Sequence, residues 1–203
     1  MKVLLGTGNK HKIEEMTRII ETHLENSNFE IEILSLNDFD KIEEPVEDGN
    51  TFLENATIKA KYYYEHFKIP TLTDDSGIVV DALNGLPGIY SARYASSNGG
   101  NATSADNRKK LLNDLIGIVD RKARFECAMV LYNDEKVIST IGKFEGSVLE
   151  EEVGQNGFGY DTLFFSDDFN MPAGLLSAEQ KDLVSHRGKA LRELLNQLLE
   201  QKN

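Results

Sequence analysis

"ARFECAMVLYNDEKVISTIGKFEGSVLEEE", residues 123–152, consists of two strand-like runs on either side of the polar tetrapeptide Asn133–Lys136. Two such runs separated by a short turn read as an antiparallel hairpin. Elsewhere the strand-like runs are separated by helical ones. "KVLLGT", 2–7, is a buried strand, and "KIEEMTRIIETHL", 12–24, is an amphipathic helix with Ile13, Met16, Ile20 and Leu24 close to helical spacing. "FEIEILSL", 29–36, alternates as a strand, and "TFLENATIKAKYYYEHF", 51–67, opens with Thr51 and Glu54 spaced as a capping box. "TSADNRKKLLNDLIGI", 103–118, is a third helix, and "LSAEQKDLVSHRGKALRELLNQLLEQ", 176–201, is a short capped helix followed by a long one, with Ser185 as the natural cap between them. Strands joined by helices favour parallel neighbours and a turn joins antiparallel ones, so the expected class is α/β with a mixed sheet. No repeat, low-complexity tract or Pro/Gly/Ser-rich linker divides the chain, so a single domain over 1–203 is expected.

The stretch that raises a question of chemistry is "TLTDDSG", 71–77, where two aspartates stand together at the end of a short apolar run. Asp, Ser and Gly are turn formers, so the strand is expected to run out here, with "GIVVDAL", 77–83, as a separate strand and "NGLPGIYSARY", 84–94, as a tight loop. The alternative reading is that a carboxylate here holds a divalent cation or takes a proton from water.

Composition restricts the partners. Apolar residues make up 40% of the chain and charged ones 28%, as in a globular protein with a real core. The 34 acidic against 22 basic residues give a net charge of −12, which argues against a nucleic-acid polymer or an anionic membrane as partner. With no apolar run of membrane-spanning length and no leader-like start, a cytoplasmic location is expected. Cys127 is the only cysteine and sits in a strand-like setting, as an inert buried thiol would.

A small anion remains possible if cations gather at one place. "TGNKHK", 7–12, links a strand to a helix start, where free backbone N–H groups and the helix dipole favour a phosphate; Asn9 is a candidate cap, and Lys10 and Lys12 could reach an anion. It lacks the spacing of a Walker loop, and an ordinary strand-to-helix turn has the same composition. Asn55 and Lys59 lie one turn apart on the second helix, facing a shared target or simply solvent. "GQNGFGYDTLFF", 154–165, holds Phe158 among glycines, either as a platform for a flat ring or as a core filler. His186 and Arg187 open the last helix, where the dipole opposes positive charge and a ligand anion or base edge would explain them.

Taken in order, "TGNKHK", "TFLENATIKA", "DDSG", "GLPGIYSARY", "GFGYD" and "SHRGKA" resemble the inosine triphosphate pyrophosphatase family, over Thr7 to Ala190. The resemblance implies an elongated mixed sheet flanked by helices, with two lobes around a central substrate cleft. It also implies magnesium-dependent hydrolysis of deaminated purine nucleoside triphosphates to the monophosphate and pyrophosphate, and a homodimer. By the same resemblance Thr7, Gly8, Asn9, Lys10, His11 and Lys12 wrap the phosphates, and Lys12 and Lys59 supply positive charge. Asp75 is catalytic; Glu47 and Asp75 serve the metal, with Asp74 a further candidate ligand. Ser76 bonds the substrate, Phe158 stacks on the purine, and Gly159, Tyr160, Asp161, Lys181, His186 and Arg187 line the base pocket. Successive residues of an extended segment face opposite ways, so Asp74 and Asp75 are expected to differ in role. Two features depart from the family pattern: Thr162 stands where relatives read Pro, and "NMPAGLLS", 170–177, replaces a Lys-Thr and an Ala-Glu-Leu, so residues 170–176 receive no role. Two rival functions fit parts of the pattern: a related pyrophosphatase for other modified nucleotides, and a catalytically silent nucleotide-binding protein, which would be expected to have lost Lys12, Lys59 or Asp75.

Overall fold

Seven strands and five α-helices make up a computed structural model that describes residues 1–97 and 99–200. The strands are β1 Lys2–Leu5, β2 Glu32–Ser35, β3 Thr71–Val80, β4 Lys122–Tyr132, β5 Val137–Val148, β6 Phe164–Ser166 and β7 Met171–Pro172, in the sheet order β2-β1-β3-β4-β5-β6-β7. The helices are α1 Lys10–Leu24, α2 Phe52–Phe67, α3 Ser104–Asp114, α4 Ala178–Val184 and α5 His186–Glu200. The last residue of the expected long helix, Gln201, lies outside the described residues.

The sheet is mixed for the reason the sequence suggests. Helix α1 returns the chain so that β1 pairs parallel with β2, Val3 opposite Ile33, and β1 pairs parallel with β3, Leu5 opposite Leu72. The β4–β5 connection closes at Asn133, whose N–H donates to the Lys136 carbonyl at 3.0 Å, while β6 runs antiparallel to β5 with Ser166 opposite Gly146.

The chain folds into two compact units, and β3, β4 and β5 pass through both. The first comprises Met1–Asp75, Cys127–Gly142 and the segment from Arg187. In it Met16, Ile19, Ile20 and Leu24 of α1, Leu191, Leu194 and Leu195 of α5, and Cys127, Met129 and Leu131 of β4 form one core. The second comprises Ser76–Glu126 and Lys143–His186, with a core of Ile78, Val80, Leu111, Phe125, Phe144, Leu163 and Phe164.

One expectation is corrected. "TLTDDSG" does not end a strand: β3 continues through both aspartates, and "GIVV" is its second half. The reason lies in tertiary contacts that supply what a bare sequence lacks. Countercharges remove the repulsion between the carboxylates, as described below. Gly77, too, is there for close approach rather than for a turn: a Cβ on it would meet the Ser91 hydroxyl and the Gly88 carbonyl, with the Ser91 Cβ at 2.9 Å. That approach lets the Ile78 N–H donate to Ser91 Oγ at 3.0 Å, while Ser91 Oγ donates to the Gly88 carbonyl at 2.6 Å.

Overpacking such a contact typically costs about 1–3 kcal/mol. Gly77→Ala is therefore expected to lower the thermal midpoint by roughly 2–12 °C for a chain of this size. An unchanged midpoint in a differential scanning measurement would show that β3 has room at this point.

Candidate active site

In the first unit, the two aspartates of β3 have separate surroundings. Asp74 is 2% exposed and accepts from Lys12 Nζ, 3.0 Å to Oδ1 and 2.9 Å to Oδ2. Arg187, itself 1% exposed, donates to Asp74 Oδ2 from Nε at 3.2 Å and from Nη2 at 3.0 Å, and from Nη1 to Glu15 Oε2 at 2.7 Å. The Cys127 thiol packs against the same carboxylate, Sγ to Oδ2 3.9 Å. Burial alone would raise the Asp74 carboxyl, but the charges of Lys12, Arg187 and Lys59 outweigh it and hold the group well below the ordinary carboxylate range. Burial, with the Asp74 charge adding to it, pushes the Cys127 thiol up, so it is inert.

Asp75 meets a different set. Asn55 Nδ2 donates to its Oδ2 at 3.2 Å, and Lys59 Nζ stands 3.6 Å from its Oδ1 and 2.8 Å from Glu47 Oε2. Burial raises the Asp75 carboxyl, and the Glu47 charge adds to this, while Lys59 and Lys12 act against it with a smaller net effect. Lys59 is shifted up, because its acidic neighbours, led by Asp75, outweigh a desolvation that by itself would lower it. Adjacent carboxylates are thus pushed in opposite directions. One is a permanently charged counter-ion; the other is a better proton acceptor.

The acidic loop before α2 is fastened to that helix. Asn55 Oδ1 accepts from the Gly49 N–H at 2.9 Å, Glu54 Oε2 from the Asn50 N–H at 2.6 Å, and the Glu43 carbonyl from Tyr62 Oη at 2.9 Å. Thr51 caps α2 through the Glu54 N–H at 3.1 Å. Asn55 and Lys59 therefore share one face and one target, and Glu47 is held beside them. Among the described residues no three His, Cys, Asp or Glu side chains cluster as a self-sufficient metal cage. Glu47 and Asp75, converging on one ammonium, are nevertheless two hard oxygen donors of the kind that could hold a magnesium ion whose other ligands were waters and phosphate oxygens.

At the start of α1, Asn9 is the cap, its Oδ1 accepting from the His11 N–H at 3.0 Å and the Lys12 N–H at 3.3 Å, and Thr7 Oγ1 accepts from the Asn9 N–H at 3.2 Å. Gly8, Asn9, Lys10 and His11 are exposed.

The base-end residues expected from the resemblance fall in the second unit, apart from Arg187. The Phe158 N–H donates to Asp161 Oδ2 at 2.7 Å, Lys181 Nζ donates to the same oxygen at 2.6 Å, and that ammonium lies 4.6 Å from the centre of the Phe158 ring. Gly157 and Gly159, on either side of Phe158, have φ of +78° and +64°, a conformation that glycine adopts without strain. Tyr160 is buried, its hydroxyl donating to the Ser91 carbonyl at 2.8 Å. His186 stacks on Phe125 with centroids 5.0 Å apart. Ser76, half-buried, is the first residue of this unit on β3. The unassigned residues 170–176 also have a visible role here. The Gly174 carbonyl accepts from the Gln155 and Asn156 N–H groups at 3.0 and 2.9 Å, and the Leu176 carbonyl accepts from Asn156 Nδ2 at 2.9 Å, so the segment braces the glycine loop.

Three of the residues expected from the resemblance are engaged with one another: Arg187 directs its guanidinium to Asp74 and Glu15 in the first unit, and Lys12 ends on the same Asp74. Glu15 was not singled out in the sequence; its only signal there is an acid adjoining the buried Met16 on an amphipathic helix.

The family model described as the Ham1 family matches residues 3–197. The chain belongs to the Ham1 family. It is 43% identical to a protein of Vibrio parahaemolyticus named dITP/XTP pyrophosphatase, covering 97% of this chain and 96% of that one. A Treponema denticola protein of the same name is 42% identical, over 94% and 95%. Among solved structures, a HAM1 protein from Coxiella burnetii superposes with a TM-score of 0.84 at 35% identity, over 98% of this chain and 99% of that one. The Ham1 fold is therefore shared at the level of the whole chain.

Removing one partner of a buried ion cluster typically costs about 3–5 kcal/mol, because the opposing charge is left without compensation. Asp74→Asn is expected to lower the thermal midpoint by at least roughly 6 °C, whereas Asp75→Asn leaves it nearly unchanged. Because the folded Asp74 is shifted down, its contribution is complete above the unfolded carboxyl value of about 3.9 and is lost as pH falls below it. The gap in midpoint between wild type and Asp74→Asn should therefore narrow below about pH 4. A gap that stays constant with pH would contradict this account of Asp74.

Proposed function

We propose that this chain is a magnesium-dependent nucleoside triphosphate pyrophosphatase that converts dITP, ITP and XTP to the monophosphate and pyrophosphate, clearing deaminated purine nucleotides. The observation that carries the reading is the placing of Asp75 beside Lys59, Glu47 and Asn55, where burial shifts its carboxyl up from the ordinary value while its neighbour Asp74 is paired separately with Lys12 and Arg187. The names of the Vibrio and Treponema relatives support the same substrate class.

A triphosphate brings several negative charges that must be neutralised, and the reaction needs a positioned water and an acceptor for its proton. Lys59 supplies a fixed positive charge, and the exposed Lys10 can swing onto the phosphates. The start of α1 offers its dipole, with Asn9 able to release the His11 and Lys12 N–H groups to a phosphate oxygen. Glu47 and Asp75 would hold the magnesium, which when bound neutralises phosphate charge and polarises the bridging anhydride. Asn55 fixes one oxygen of Asp75, leaving the other to orient the attacking water and receive its proton as the bond between the α and β phosphates breaks. In the second unit, Phe158 offers its ring to a purine. A carbonyl at C6, where adenine has an amino group, suits hydrogen-bond donors on the enzyme.

We further propose a homodimer in the cytoplasm, with an isologous interface as two-fold symmetry requires. No described helix is long and apolar enough to cross a membrane.

Pyrophosphate release from a panel of nucleoside triphosphates, with and without magnesium, tests the reading. Expected are a dependence on magnesium and a kcat/KM for dITP, ITP and XTP at least ~100-fold above that for ATP and GTP, since an unpaired buried base-edge group costs roughly 2–3 kcal/mol. Comparable turnover of ATP would refute it. In single turnovers with ITP, Asp75→Asn is expected to lose about 10²–10⁴ in rate, and Lys59→Ala to be severely impaired through loss of phosphate charge. Light scattering at micromolar concentration should report the mass of a dimer.

A further inference from the structure

Besides the Gly174 and Leu176 carbonyls, two sets of side chains hold the glycine loop that carries Phe158, and the side chains of one set have not been assigned to the base pocket. On one side Asp161 accepts from the Phe158 N–H and from Lys181. On the other, Arg108 of α3 donates from Nη1 to the Gly159 carbonyl at 2.8 Å. Its Nε lies 3.0 Å from Glu152 Oε2, and that same carboxylate oxygen accepts from Thr162 Oγ1 at 2.9 Å. Arg108, Glu152, Gly159 and Thr162 thus form one chain of polar contacts within the second unit, and it ends on the peptide next to Phe158.

We propose that Arg108 is a positioning residue for substrate recognition, with Glu152 and Thr162 orienting its guanidinium so that the Gly159 carbonyl, and through it the Phe158 ring, is fixed against a flat base. The geometry needs such a fastening. Both residues flanking Phe158 are glycines at positive φ, where the backbone has the widest choice of conformations when nothing restrains it. Arginine suits the task because its extended, delocalised guanidinium can bond a carbonyl through one nitrogen while another stands at ion-pair distance from a carboxylate; the point charge of a lysine can serve only one of them well. The Arg108 side chain is only 18% exposed, so the contact is partly shielded from water, and Glu152 carries the compensating charge. Burial would raise the Glu152 carboxyl, yet its bonds to Arg108 and Thr162 outweigh this and hold it down, as for a carboxylate engaged from two sides.

The chain of contacts also gives a reason for Thr162: its hydroxyl reaches Glu152 Oε2 at 2.9 Å, a contact that a side chain without a donor at this position could not make. The loop is braced from below by Gly174 and Leu176, which leaves Arg108 to determine the last peptide before the buried Tyr160.

The role in recognition rests on the substrate class proposed above, whereas the fastening does not, and two measurements separate them. The first is hydrogen exchange of the 157–161 amides in the free protein. Arg108→Leu is expected to speed that exchange by at least about tenfold without changing exchange in β4 and β5. Unchanged exchange overturns the fastening whatever the enzyme does. The second is steady-state kinetics with dITP. Arg108→Leu is expected to raise KM about tenfold with kcat within about threefold, the mark of lost ground-state binding. Arg108→Lys should recover part of the loss. Thr162→Val should raise KM about two- to threefold, and Arg108→Leu/Thr162→Val should be no worse than Arg108→Leu alone, because Thr162 acts through Arg108. A KM that stays at the wild-type value, or fully additive effects, overturns the positioning role even if exchange has risen. A wild type inactive on the whole nucleotide panel refutes the substrate reading and the recognition role with it, and the exchange measurement still decides the fastening.

Discussion

The ion cluster around Arg187 is the constraint on which the first unit depends. A guanidinium 1% exposed at the first turn of α5 is costly in every respect: it is desolvated, and it stands at the positive end of a helix dipole. Asp74 from β3 and Glu15 from α1 compensate it, and Lys12 completes the charge balance on Asp74. Three elements far apart in the sequence are thereby held in one arrangement, and each must sit where its charge meets its partner. An apolar core tolerates some slippage of one helix over another, whereas a buried charge that loses its partner does not.

That arrangement has a consequence for the reaction. Because Asp74 is fully occupied by fixed cations, Asp75 is left as the aspartate of the pair able to act as a proton acceptor. The pleat of β3 turns the two carboxylates away from each other, so that the second meets Asn55, Lys59 and Glu47. An extended strand therefore does here what a turn could not. It gives two neighbouring acids separate surroundings, Lys12 and Arg187 for one and Asn55 and Lys59 for the other, without a change of backbone direction.

The second unit solves a different problem. The glycines around Phe158 let its loop take positive φ on both sides of the ring, at the expense of rigidity. Polar contacts restore the rigidity: Asp161 with Lys181 on one side, Arg108 with Glu152 and Thr162 on the other, and the Gly174 carbonyl beneath. Lys181 acts twice, as the countercharge of Asp161 and as the cation against the Phe158 ring. Tyr160 and His186, which sit among the motif residues, are buried against Ser91 and Phe125 and serve packing in this structure.

The sequence by itself determined what depends on local pattern. The hairpin at Asn133–Lys136, the helix at 52–67 with its Thr51 cap, and the pairing of Asn55 with Lys59 on one helical face all follow from spacing and turn chemistry, which neighbouring residues impose whatever the rest of the chain does. The order of the motifs pointed to the family. What the pattern could not decide were outcomes that hinge on partners distant in sequence. "DDSG" has the composition of a turn, and only Arg187, more than a hundred residues away, and Ser91, pressed against Gly77, make it the middle of a strand. Glu15 looks like any solvated helix acid until α5 lays a guanidinium beside it, and Arg108 like any exposed helix cation until the Gly159 carbonyl comes within 2.8 Å. Charge and polarity can be read residue by residue, but whether a polar group faces water, a countercharge or a substrate is decided by which elements the tertiary fold packs around it.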